Sequence, residues 1–245
     1  MGDLGAQWTA LAGALGYPPS PTQVEQIEAL ARLLREWNQA HSLVADGESD
    51  DAGLLHKHFL DSLAFVPVLG ETEGPLADLG SGGGLPGLVL KIACPALPVT
   101  LIESHQRRAQ FLEEAGAELG LTELTVLPQR TEEVGRAAAH RERYQRVTAR
   151  RLAELAVLCE YGLPLLAVGG RAVFAKGLGL DDELIAAAGV PELLGGSPVE
   201  QVEVLVPGEA ERRRQFVTIT KVSPTPDKYP RPPGRPAKRP LRVGG

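Results

Sequence analysis

Five glycines crowd the eight positions from Gly80 to Gly87, inside the stretch LADLGSGGGLPGLVLK at 76–91. The run leaves an apolar, strand-like segment and enters a helix-like one. Glycine at such a junction allows a sharp bend and a close approach to the backbone. A strand, a tight turn and a helix in that order point to a βαβ unit and a parallel sheet.

The chain from 75 to 222 keeps that rhythm. Strand candidates are 76–80, VTLIE at 99–103, LTVLP at 124–128, YQRVTA at 144–149 and RAVFAK at 171–176. Helical stretches lie between them, at 107–120 and 180–189 for example. VEQVEVLVP, from 199, and RQFVTITKV, from 214, are joined only by GEAERRR. That link is too short for a crossover helix, so the two should pair antiparallel. The expected fold is an α/β, Rossmann-like, seven-stranded and mostly parallel sheet with one antiparallel strand.

Flanking regions differ. Residues 1–70 read as an N-terminal helical extension. Ser20, Pro21 and Gln23 form an N-cap signature, followed by Val24, Ile27, Leu30, Leu34 and Trp37 at helical spacing. DGESDDAG, 46–53, reads as a polar connector. A second helix carries Leu55, Phe59, Ser62, Leu63 and Val66 on one side, with Lys57 and Asp61 placed for a surface pair. His58 shares the apolar side and reads as a buried, satisfied histidine. Residues 71–222 form the central domain. Residues 223–245 are a basic, Pro-rich tail, PPII-like or irregular, with six cations and one acid in a chain of net charge −6. A basic tail on an acidic body suits a polyanion, and equally a solvated segment. No apolar run is long enough to cross a bilayer, and the first residues do not look like a signal peptide. A soluble, cytoplasmic monomer is expected. Cys94 and Cys159 show no metal spacing, nor do the five histidines.

Gly82 to Gly87 matches G-x-G-x-x-G, a weak signal alone. Three residues sharpen it. Asp78 lies on the strand before the turn, where a carboxylate opposes pyrophosphate and suits a cationic ligand. Glu103 closes the next strand, where an acid can accept both hydroxyls of a ribose. Pro86 sits at the helix start and offers no N–H to a phosphate. A ligand joining an adenosyl group to a sulfonium, S-adenosylmethionine (SAM), fits better than NAD. The plainer alternative has Asp78 capping the turn and Glu103 merely exposed.

WNQAHSL at 37–43, KHFLDSL at 57–63, the glycine stretch and KYPRPPGRPAKRPL at 228–241 together resemble the RsmG (GidB) family of bacterial SAM-dependent methyltransferases. The resemblance implies a class I methyltransferase fold, SAM as cofactor, and a guanine N7 of small-subunit (16S) ribosomal RNA as acceptor. It implies cofactor contacts from Gly80 and Leu85 on the turn, beside Asp78, Ser81, Gly82 and Gly84, which are candidate cofactor contacts on the reading of the turn itself. Glu103, Ser104 and His105 would follow at the adenosine, Thr131 and Glu132 near the adenine, and Arg150 after the fourth strand. The chain departs from the family pattern at Ser42-Leu43-Val44 and at Ala149-Arg150-Arg151.

The chemistry is compatible. Guanine N7 has a lone pair and no proton, so its attack needs no general base. After the fourth strand the chain reads TARRLAEL, without the Pro-Pro-aromatic motif associated with exocyclic amines. Neither cysteine stands where it could attack a base. Arg150 and Lys176 are the candidate catalytic residues, neutralising phosphates or orienting O6. Arg141, Arg143 and Arg146 read as solvated. In the tail, Arg231, Arg235, Lys238 and Arg239 are candidate RNA-backbone contacts, and Tyr229 either stacks on a base or anchors the tail. The rival functions are an NAD-dependent oxidoreductase and a non-catalytic ribosome-binding factor.

Overall fold

Local signals start the first long helix. In the computed structural model, which describes residues 4–45, 47–70, 74–208 and 213–243, Gln23 N donates to Ser20 Oγ at 3.3 Å. Ser20 N donates to Gln23 Oε1 at 2.8 Å, and Pro21 occupies the first turn. This capping box is worth roughly 1 kcal/mol. Helix Pro21–Asn38 then buries Ile27, Leu30 and Leu34, with Val24 and Trp37 packed beside them.

The second predicted helix is composite. Asp51–Gly53 is α-helical, Leu54–Phe59 is a π-helical turn, and Leu60–Leu63 returns to α-helix. Asp50 caps its start. The expected Lys57–Asp61 surface pair is overturned here. Asp61 is buried, facing the sheet, where Arg214 donates to it. Lys57 Nζ lies 3.3 Å from Glu48 instead. The connector before this helix is also more than a linker, because Glu48 folds back onto His58 and Arg151. Asp46 of that connector lies outside the described residues.

Seven strands follow: β1 Leu76–Leu79, β2 Val99–Ile102, β3 Leu124–Leu127, β4 Tyr144–Arg150, β5 Leu166–Lys176, β6 Glu200–Leu205 and β7 Arg213–Thr220. Their order in the sheet is β3-β2-β1-β4-β5-β7-β6. The pairs from β3 to β5 are parallel, and β7 runs antiparallel to both its neighbours. This is the sheet the sequence predicts, although β5 begins earlier than expected. Residues 209–212 of the β6–β7 link lie outside the described residues. Successive β1 side chains alternate, so Leu76 joins one apolar cluster while Ala77 and Leu79 join another. The first cluster contains the N-terminal helices and the helices Gly87–Ala93 and Gln106–Glu118, and the second contains helix Leu155–Gly162. Among the described residues no helix is long and apolar enough to cross a membrane.

In the tail, Arg231 departs from the expected RNA-backbone contacts. Arg231 forms a bidentate pair with Glu160, which has no exposed side-chain surface, at 2.6 to 3.0 Å. Its backbone N–H donates to the same carboxylate at 2.8 Å. Arg231 is thereby occupied inside the protein. Arg141, expected to be solvated, donates to the Tyr229 and Thr225 carbonyls. Arg136 donates to the Pro230 carbonyl, and Gly234 N to Glu132 Oε1 at 2.7 Å. Tyr229 is buried as an anchor. A short helix, Arg235–Lys238, leaves Arg235, Lys238 and Arg239 exposed.

Candidate active site

The order β2-β1-β4 marks where the sheet reverses its winding, and ligands of open α/β sheets lie at the carboxyl ends of the strands there. Gly80 follows β1 at φ +60°, a conformation that costs residues with a Cβ. A Cβ there would also stand 2.5 Å from Leu152 Cδ1.

Asp78 anchors this turn from beneath. Thr148 is its ladder partner on β4 and donates to Asp78 Oδ1 at 2.8 Å. Gly87 N donates to Oδ2 at 3.2 Å. Asp78 is fully buried and both its oxygens accept from the protein, the arrangement of the alternative in which it caps the turn. Burial pushes its carboxyl up to about 6, against the pull of its hydrogen bonds. Gly84 is buried at φ +79°, and a Cβ there would meet Leu88. The Ser81 hydroxyl donates to the Asp78 carbonyl at 3.0 Å.

Glu103 leaves β2 beside the turn. Gly82 N donates to one of its oxygens at 2.9 Å and His105 N to the other at 2.7 Å. Each carboxylate oxygen keeps acceptor capacity for a ligand hydroxyl. Glu103, Ser104, His105, Thr131 and Glu132 line one cavity of about 430 Å³, with Gly80, Leu152 and Tyr161 as further walls. Leu152 and Tyr161 give it apolar surface that the sequence reading missed. Burial, then Glu132, pushes the Tyr161 phenol up to about 12. A neighbouring cavity of about 300 Å³ is lined by Ser81, Gly82, Leu85, Leu43, His58 and Arg150. A third, of about 500 Å³, is lined by Arg150, Lys176, Asp61, Glu183, Arg214 and Phe216. Arg151 lines all three, so they form one groove. Its φ of +54° is rare for a residue with a side chain and marks a functional-site candidate.

Arg150 sits where the second and third cavities meet. It donates to the Lys57 carbonyl at 3.1 Å, contacts His58 Nδ1 at 2.9 Å, and lies 3.8 Å from Asp61. Burial brings its guanidinium down to about 10, still charged at neutral pH, and its Nε–H is buried without a partner. Lys176 is not a free cation, because it pairs with Glu183 and donates to the Ala153 carbonyl at 3.2 Å. Cys159 is fully buried and lines none of the three cavities, nor does Cys94.

The groove suits an adenosyl ligand better than a dinucleotide. Gly82 N and Gly87 N, which a pyrophosphate would need, already donate to Glu103 and Asp78. Comparison with known proteins agrees. The family described as "rRNA small subunit methyltransferase G" (GidB) matches residues 23–213. The chain belongs to the methyltransferase G family. A "Ribosomal RNA small subunit methyltransferase G" of Roseiflexus castenholzii is 44% identical over 231 residues, covering 94% of this chain and 97% of that protein. One of Alkaliphilus metalliredigens is 39% identical over 93% of this chain and 95% of its own length. Among solved structures, a methyltransferase from Pyrococcus furiosus superposes with a TM-score of 0.56 at 11% identity, over 80% of this chain and 98% of that one. A tRNA (m1A58) methyltransferase of Aquifex aeolicus does so at 0.51 and 14% identity, over 67% and 69%. The methyltransferase G family member described here thus has a class I, Rossmann-like methyltransferase fold.

Proposed function

We propose that this chain transfers the methyl group of SAM to N7 of a guanine in small-subunit (16S) ribosomal RNA, in the cytoplasm. The observation that carries the reading is the family match over residues 23–213, joined to a groove whose glycine-turn end fits an adenosyl ligand. The cofactor supplies a methyl group made electrophilic by a sulfonium. Glu103 would hold the ribose hydroxyls, with Ser104 and His105 beside it. Thr131, Glu132, Tyr161 and Leu152 would enclose the adenine. The backbone of Gly80, Ser81, Gly82 and Leu85 would border the methionine end. Arg150 lines both that end and the larger cavity, and would donate to a guanine O6.

Guanine N7 needs no deprotonation. The acids lining the larger cavity fit that economy, since Asp61 takes Arg214 and Glu183 takes Lys176. Catalysis then rests on orientation, which can contribute ~7–11 kcal/mol. Lys176 has its charge met by Glu183, so phosphate contact falls to the exposed cations Arg130, Arg151, Arg235, Lys238 and Arg239. From the N-terminal extension, Ser42 to Ala45, His58 and Asp61 complete one wall of the groove, and in the tail Pro230 and Gly234 brace the other through Arg136 and Glu132.

The test is methyl transfer from labelled SAM to small-subunit particles lacking the modification, mapped by cleavage at N7-methylguanine. One cleavage site is expected, lost in Glu103→Ala. Label on another atom would sink the N7 assignment. SAM binding without transfer to any RNA would favour a non-catalytic ribosome-binding factor.

A further inference from the structure

We infer that His58, on the π-helical turn of the N-terminal extension, is the positioning residue that aims Arg150 at the reacting groups. The inference rests on the proposed methyl transfer and adds a residue to it.

The geometry fixes the histidine's chemistry. His58 is 2% exposed and its Nδ1 lies 2.9 Å from Arg150 Nη2. A guanidinium can only donate, so Nδ1 must accept and the ring proton must sit on Nε2. Nε2 faces Glu48 Oε2 at 3.1 Å, within ion-pair distance though off the line of a hydrogen bond. Glu48 is therefore placed to favour the tautomer that Arg150 requires. Burial and the Arg150 charge bring the imidazole down to about 4, keeping it neutral and able to accept at neutral pH.

The π-helical turn supplies a second acceptor. Lys57, the preceding residue, offers its carbonyl to Arg150 Nη1 at 3.1 Å. Two consecutive residues of one turn thus hold two nitrogens of the guanidinium fork. Arginine has a long, flexible side chain, and fixing it otherwise costs rotamer freedom. The hold matters because Arg150 borders both cavities that the reaction must join.

The test compares the full-length wild type with His58→Asn, His58→Gln and His58→Leu. Asparagine carries an acceptor near the place of Nδ1, glutamine near that of Nε2, and leucine none. We expect His58→Asn to stay within about 5-fold of wild-type kcat, and the other two to fall about 100-fold, as misplacement by an ångström can cost. The SAM Kd should change less than about 3-fold in all three, separating orientation from binding. The Arg150 guanidinium signals in nitrogen NMR should stay sharp in His58→Asn and broaden in the other two. Equal kcat losses in all three variants would overturn the inference. So would lower melting temperatures with kcat unchanged. If His58→Leu does not fold, the Asn–Gln contrast decides. If the wild type itself methylates no RNA, the functional reading fails, and the NMR contrast still decides whether His58 orients Arg150.

Discussion

Two glycine- and proline-rich segments of this chain are held in opposite ways. The turn at 80–87 is pinned mainly by neighbours in sequence. Asp78 takes Gly87 N nine positions away and Glu103 takes Gly82 N 21 away. The tail from Thr225 to Arg239 is pinned by groups far back in the chain. Arg231 reaches Glu160 71 positions away, and Gly234 reaches Glu132 102 away. The turn is a conformation that its own residues demand. The tail is a set of charges whose partners exist only after the second face of the sheet has been built.

The contrast can be broken most sharply at Glu160. Arg231→Ala would leave this buried carboxylate without its cation, with only the backbone N–H of residue 231 still donating to it, a loss of roughly 3–5 kcal/mol. Glu160→Leu should cost less, because Arg231 keeps 18% of its side chain exposed and can be hydrated. Urea unfolding of both variants checks the asymmetry, and equal losses would mean that the tail is not clamped by that pair.

The turn should yield to pH. Because burial pushes the Asp78 carboxyl up to about 6, the folded state holds its proton more tightly than the unfolded chain does. That contribution is fully present below pH ~4 and is lost as pH rises to about 6. The stability of wild type relative to Asp78→Asn should therefore fall across pH 4–6, by on the order of 3 kcal/mol, and level off above. A flat difference curve would show that Asp78 is not confined beneath the turn. The smallest effect belongs to Gly80→Ala, about 1–2 kcal/mol for a Cβ at positive φ. Its melting temperature should drop slightly while SAM affinity, measured by calorimetry, drops more.

This difference also explains what could be read in the residues. Glycine at positive φ and the Ser20–Gln23 box are local demands, visible in a short window, and so are the strand periods that give the sheet. Glu103 could be placed because a strand end and a turn fix it together. Asp78 could be located from spacing, which left open whether it meets a ligand or caps the turn. Spacing puts it beside the turn, whereas only its ladder partner Thr148 reveals that it faces inward. Arg231 looks like a free cation because Glu160 lies in the middle of an apolar helix. His58 was legible as buried and illegible as a partner of Arg150, 92 positions away.

The π-helical turn at Leu54–Phe59 holds one residue more than an α-helix would need to close there: Leu60 N reaches back five positions to the Leu55 carbonyl. Successive residues of a helix are rotated by about 100°. A chain one residue shorter in this segment would keep its composition and its apolar character nearly intact. It would also regain a regular ladder. Yet everything before the deletion would swing about a quarter turn against everything after it. Leu54 and Leu55 could then stay buried only if Asp61 turned away from the sheet, or Asp61 could stay only if the two leucines came out. The apparent irregularity is what lets one helix face the apolar core and the charged groove at once.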